Sequence, residues 1–276
     1  MVSKPLLLSL APIAASASLT PIPGGSLISS DCIFTVPNGE TVSVDHEVIS
    51  KMESCRSSKP TQLVGDAPYT WGTEQIYAQD VHLQNPDAQW LNFTADWVVP
   101  PLPEKHSGQV DYHWPGFKSQ QPEMGYPVLQ PVLQYGQTGM AKWQLQSWFV
   151  HGGATTAPAI DVQPGDEITS YMSFDVESET WTVYGENLSN NEKSVLTITK
   201  EALGGYDFDW GMVVHETIMA KASYCSEYPA SAGIDYTNVY LDGDAPEWTE
   251  RVQKTDCEQQ VKQGGGQVSF LWDATK

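Results

Sequence analysis

Two short segments hold the side chains from which chemistry could be built. The first is "VLQPVLQYG", residues 128–136, with glutamines at 130 and 134. On a strand, Val128, Gln130, Val132 and Gln134 share one side, and Leu129, Pro131, Leu133 and Tyr135 share the other. A primary amide offers two donors and an acceptor without charge. On a concave sheet face it can hold a carbonyl or a water; the plainer role is an amide satisfied by nearby backbone. The second segment is "MVVHETIMAKASY", residues 212–224, where Glu216 stands among apolar residues. Facing inward, its carboxyl is desolvated, its pKa rises, and it can act as a general acid or base in acid. Facing outward, it is an ordinary solvated carboxylate.

Other devices are weaker. Asp175, Glu177 and Glu179 alternate in "FDVESETW" and would line one strand face, as paired carboxylates do in glycan hydrolysis. A row of like charges fits a solvated hairpin better. His215-Glu216 begins like the zinc motif His-Glu-x-x-His, but Met219 takes the second histidine's place. His46, His82, His106, His113, His151 and His215 lack ligand spacing, and no Gly-x-Ser-x-Gly elbow is present. No metal and no cofactor are expected. Cys32, Cys55, Cys225 and Cys257 read as structural. Three connectivities are open, and the sequence-local one pairs Cys32 with Cys55 and Cys225 with Cys257.

The elements that position these residues read as strands. From "QWLNFTADWVVP" to "GIDYTNVYL", short alternating segments are separated by turns such as "QPGD", "ENLSNNEK" and "YPASAG". That texture predicts an all-β antiparallel sandwich of jelly-roll type. Pro131 cannot donate to a ladder, so its strand is expected at an edge or a bulge. "ETVSVDHEVISKMESC" suggests a strand and a short helix, and "QQVKQGGGQ" reads as linker. The expected organisation is a signal segment at 1–18, an N-terminal extension or propeptide at 19–85, the sandwich at 86–245 and a tail at 246–276.

Lys4, the apolar "PLLLSLAPIAA" and the small residues "ASAS" form a secretory signal. Sequons at Asn92 and Asn187 agree with export as a glycoprotein. The formal charge is −20, which repels phosphate backbones and argues against nucleic acid. No segment predicts a membrane span. The expectation is a secreted, acidic monomer.

Taken together, the segments resemble the glutamic peptidases, the eqolisin family of secreted acid proteases. "PVLQYG" is similar to the family's Ile-Leu-Gln-Thr-Gly, and "HETIM" to its Ala-Glu-Trp-Ile-Val. "AIDVQPGDEITSYMSF" and "GENLSNNEKSVLTIT" resemble family segments in the same order. Against the family's Trp-Val-Gly-Ile-Asp-Gly, "DWVVPPLP" keeps Trp97 but lacks the Asp and both glycines. The resemblance implies a concanavalin A-like β-sandwich of two seven-stranded sheets. It also implies a catalytic pair, with Glu216 as general base and then acid, and Gln134 holding the water and the oxyanion. A polypeptide is then the substrate. A glycan-binding or glycan-cleaving sandwich and a noncatalytic extracellular wall protein stay open. Trp97, Tyr135, Trp143 and Trp148 are the substrate-binding candidates, with Trp114 a further one for sugars.

Overall fold

The computed structural model describes residues 19–24, 26–57, 76–85, 89–119, 127–137, 139–218, 225–253 and 255–276. The expected signal segment at 1–18 and residues 58–75 lie outside them. The chain opens with β1 (Leu19–Ile22), β2 (Ser26–Ser29), β3 (Ile33–Thr35), β4 (Thr41–Val42) and helix α1 (Glu47–Ser57). The central run is β5 (Ile76–Gln84), β6 (Asn92–Val98), β7 (Val110–Lys118), β8 (Val128–Tyr135), β9 (Trp143–Val150), β10 (Ala154–Thr156) and β11 (Ile160–Val162). It continues with β12 (Glu167–Asp175), β13 (Thr180–Asn187), β14 (Glu192–Thr199) and β15 (Trp210–Ile218). The chain closes with β16 (Gly233–Leu241), β17 (Thr249–Val252), β18 (Gln260–Gly264) and β19 (Gln267–Leu271).

Two sheets pack face to face, as the sequence predicts. The first runs β17-β5-β15-β7-β8-β9-β10-β3, with β11 also on β9. The second runs β18-β19-β16-β6-β12-β13-β14-β4. Large apolar side chains between them, including Phe93, Phe117, Trp143, Leu145, Trp181 and Phe270, make the main core. Each contributes about 1.5–3 kcal/mol by leaving water. Strands β6 and β13 alternate buried and partly exposed positions, as expected where one face meets core and the other water. Strands β8 and β9 are buried at every position, so a second layer covers their outer face.

That layer is the N-terminal segment. The β1–β2 hairpin lies on the outer face of the first sheet, where Ile22 joins a second apolar cluster with Val132, Trp148 and Val214. Residues further along extend the sandwich itself. β3 adds to β10 and β4 to β14, both in parallel. Val36, Val42, Val48, Ile49 and Met52 enter the main core. The disulfides are Cys32–Cys55 and Cys225–Cys257, the sequence-local pairing.

Three expectations are corrected. The sandwich does not begin at 86, because β5 is paired along its length with β15. The tail at 246–276 is not a linker. It supplies β17–β19 and buries Trp248, Val268, Phe270 and Trp272. Its glycines form a tight turn, with Gly265 and Gly266 at φ 59° and 77°, a region open to glycine at little cost. Third, Pro131 lies in an interior strand. Register along β7–β8 stops at His113↔Leu133 and resumes at Phe117↔Leu129, which sets Pro115 opposite Pro131. Two residues without N–H groups meet where the ladder opens.

Candidate active site

Register brings the two chemical segments together. Glu216 on β15 faces Tyr112 on β7, Tyr112 faces Gln134 on β8, and Gln134 faces Gln144 on β9. Directly opposed residues point to the same side of a sheet, so Glu216, Tyr112 and Gln134 share the outer face in one row. Two strand spacings separate the outer pair, about 9–10 Å between their backbones.

The glutamines act as a relay. Gln134 Nε2 donates to Gln146 Oε1 at 2.9 Å, and Gln146 Nε2 donates to the Ala157 carbonyl at 2.8 Å. The relay fixes the Gln134 amide and leaves it one N–H. Its buried carbonyl oxygen has no hydrogen-bond partner, and neither polar atom of buried Gln130 on the same face has one.

Glu216 is 7% exposed. Burial pushes its pKa up to about 7. The Gly24 N–H, donating to Oε2 at 2.9 Å, and the neighbouring Trp114 indole pull it down. Asp80 raises it, and Arg251 lowers it. Asp80, on the adjacent strand and also buried, is held by Arg251 Nε at 2.6 Å and His82 Nδ1 at 2.9 Å. Trp114 lies along its own strand over Gly116, where an added Cβ would sit 2.7 Å from the indole ring.

The hairpin closes the site. Tyr112 Oη donates to the Pro21 carbonyl at 2.8 Å, and Gln137 Nε2 donates to the same oxygen at 2.9 Å. The Tyr112 hydroxyl also contacts Gln137 Oε1. The hairpin thus meets Glu216 through the Gly24 N–H, and Tyr112 and Gln137 through the Pro21 carbonyl, in each case by its backbone.

No protein-family model and no curated protein matches the chain in sequence. Among solved structures, scytalido-glutamic peptidase with a peptide-based transition-state analogue gives a TM-score of 0.50 at 14% identity. The match covers 71% of this chain and 98% of that one. SCP-B, a member of the eqolisin family of peptidases in complex with the tripeptide Ala-Ile-His, gives 0.48 at 14%, with 71% and 98% covered. The fold is that of the glutamic peptidases.

On this glutamic-peptidase fold the other candidate residues separate. Trp148 and Trp114 lie on the outer face beneath the hairpin cluster. Trp97, Tyr135 and Trp143 do not line the site. They point into the main core, Trp97 against Tyr236 and Tyr135 against Trp143. The strand between the two candidate catalytic strands is β7, with Trp114-Pro115-Gly116-Phe117, and not the strand of Trp97. Asp175 sits at the β12–β13 turn in the second sheet, accepting from the Glu177 and Ser178 N–H groups, the solvated hairpin favoured from sequence. Asn92 is exposed. Asn187 is fully buried and its amide donates to Asp166 at 2.7 Å, leaving no room for a glycan in the folded chain.

Sequence reasoning missed Tyr112, Asp80 and the Gln146 relay. The available signals were the period-two "YHWPG" and a lone acid in "IYAQDVHL". It also missed His113 and His215, which stack at 4.5 Å on the core side of the sheet. His215 bonds Gln79 at 3.0 Å and Thr217 at 3.1 Å. These histidines are packing elements. Among the described residues, no group of three His, Cys, Asp or Glu side chains could hold a metal.

Proposed function

We propose that the protein is a glutamic-type acid endopeptidase of the cell exterior, closed here by its own N-terminal hairpin. One observation carries the reading. The backbone N–H of Gly24, in the turn that follows β1, donates to Glu216, in the row that also holds Gln134. A peptide substrate laid along the same path places its scissile carbonyl between them.

With the hairpin displaced, the Glu216 carboxylate takes a proton from water as the water oxygen attacks the carbonyl carbon. The spare Gln134 N–H donates to the oxygen that gains negative charge. Protonated Glu216 then passes its proton to the leaving nitrogen as the carbon–nitrogen bond breaks. Exposure lowers the Glu216 pKa from its covered value, because desolvation is the largest cause of the rise. The two disulfides fit an oxidising compartment. No helix among the described residues is long and apolar enough to cross a membrane.

The test is digestion of a denatured protein at about pH 3–4. The variant Gly24→Pro lacks the N–H that reaches Glu216 and cannot adopt the φ of 93° found there. It should outperform the unaltered chain, and adding Glu216→Gln or Gln134→Ala should remove the gain. Inactivity of Gly24→Pro at every acidic pH would overturn the reading.

A second reading rests on Asp80. Asp80 faces Val214, two residues from Glu216 on the neighbouring strand, so the two residues are diagonal neighbours with backbones about 7–8 Å apart. A protonated acid beside an ion-paired one suits glycoside cleavage. In that case Asp80→Asn and Glu216→Gln would both abolish reducing-sugar release, with no peptide hydrolysis in any form.

A further inference from the structure

Two side chains converge on one peptide carbonyl beside the proposed catalytic pair. The Pro21 oxygen accepts from Tyr112 Oη at 2.8 Å and from Gln137 Nε2 at 2.9 Å. The Tyr112 hydroxyl also contacts Gln137 Oε1, so the two side chains act as one unit. Three residues on, the Gly24 N–H reaches Glu216.

The sheet places both donors. Tyr112 is fully buried on β7, between Glu216 on β15 and Gln134 on β8. Gln137 follows Gly136, where β8 has ended and the chain turns at φ 77°. A Cβ at Gly136 would lie 2.3 Å from the Gln109 carbonyl, so glycine is needed for the turn that carries Gln137 to the Tyr112 hydroxyl.

What these side chains read is backbone. A main-chain carbonyl is present in every peptide, so the same grip suits a substrate. Among the described residues, β1 pairs with β2 and with no strand of the two large sheets. Its main chain is therefore not seated on the sheet by ladder bonds. Ile22, between the two backbone contacts, is buried in the outer-face cluster. Burial and then the Glu216 charge push the Tyr112 pKa well above the ordinary 10, so its hydroxyl keeps its proton throughout the acidic range.

Resting on the peptidase reading, we propose that Tyr112 and Gln137 form a substrate subsite that grips a main-chain carbonyl on the acyl side, two or three residues before the scissile bond. The direction follows from the hairpin. Its N–H at Glu216 stands where the leaving nitrogen would take up a proton, and Pro21 precedes it in the chain.

The experiment uses the full chain with Gly24→Pro and matched eight-residue peptides. In each twin, the peptide link that follows the second or the third residue before the cleaved bond becomes a trans-alkene, which deletes that carbonyl and keeps the shape. Binding is read by tryptophan fluorescence after adding Glu216→Gln, and kcat/KM is read without it. One twin should bind and react about tenfold worse than its parent, the scale of one or two hydrogen bonds. That ratio should shrink in Tyr112→Phe and in Gln137→Ala, and fall to one in the double variant. A variant that only disturbs the fold weakens parent and twin alike and leaves the ratio unchanged. Equal binding of parent and twins overturns the subsite, as does a ratio that survives the double variant, or a failure of every peptide to bind. A parent that binds better than its twin but is never cleaved keeps the subsite and removes the peptidase reading. Cleavage of parent and twins alike does the reverse.

Discussion

At the scale of single residues, the site depends on how one amide is aimed. On the peptidase reading, Gln134 serves the oxyanion because Gln146 takes one of its two N–H groups and fixes the other. Gln146→Ala should therefore lower kcat about tenfold with KM little changed, while Gln134→Ala should cost about a hundredfold or more. Steady-state kinetics on one peptide separates the two. Gly24 is the counterpart on the covering chain. Its φ is 93° with open space around it, so Gly24→Ala meets no clash but strains the backbone by about 1 kcal/mol. The unaltered hairpin should inhibit about fivefold more strongly than the alanine form, measured as activity of the full chain. Strand parity is local, so the shared side of Val128, Gln130, Val132 and Gln134 was legible in the sequence, while the side that Glu216 takes was left open. Tyr112, Asp80 and Gln146 were not legible, since each gains its role from register with a distant strand.

At the scale of elements, docking of the β1–β2 hairpin is linked to a proton. Covered Glu216 keeps its proton up to about 7, against an ordinary value of 4.5. The groups around it are Tyr112 from β7, Asp80 from β5, Arg251 from β17 and the Gly24 N–H. A raised folded pKa means that docking takes up a proton. The contact is at full strength below pH 4.5 and weakens as pH rises through about 7. The ceiling is about 3 kcal/mol, since the sheet itself accounts for part of the burial. Hydrogen exchange at residues 19–24, corrected for intrinsic rates, should rise between pH 5 and pH 7.5, and Glu216→Gln should flatten that rise. Element boundaries were misread for a related reason. Strand β5, buried on both faces from Ala78 to Val81, lacks the alternation that marks a half-solvated strand. The glycine-rich β18–β19 turn looks like a linker until its flanks are seen in a sheet.

At the scale of the whole molecule, acid works against the core. Burial drives the His113 pKa down to about 3, and burial with His113 beside it drives His215 well below the ordinary range. Both stay neutral in the fold while the unfolded chain takes up protons below about 6.5. Their stabilisation is complete above that pH and is lost as pH falls toward 3. His113→Leu removes one such group, whose ring nitrogens have no hydrogen-bond partner. The fall in Tm from pH 7 to pH 4 should shrink by about 5 °C, read by calorimetry. Truncation after Ala245 takes away Trp248, Val268, Phe270 and Trp272, buried in the core. At about 2 kcal/mol each, that rivals a typical net stability of about 5–15 kcal/mol, so circular dichroism should show no cooperative unfolding. The two-sheet architecture was plain from alternation and turns. Membership of the tail in that architecture rests on contacts far apart in sequence.

The Cys32–Cys55 bridge divides the covering region into two parts with different fates. Beyond it, Val36, Val42, Val48, Ile49 and Met52 are knitted into the sandwich, and β3 and β4 occupy the outermost places of both sheets. Before it, the hairpin only rests on the surface. A nick within residues 58–75 would leave everything anchored and the cleft still shut. A nick at Ser29–Asp31 would let the hairpin diffuse away and leave the scaffold whole, so on the peptidase reading the unmasked form should carry its new amino terminus beside the bridge.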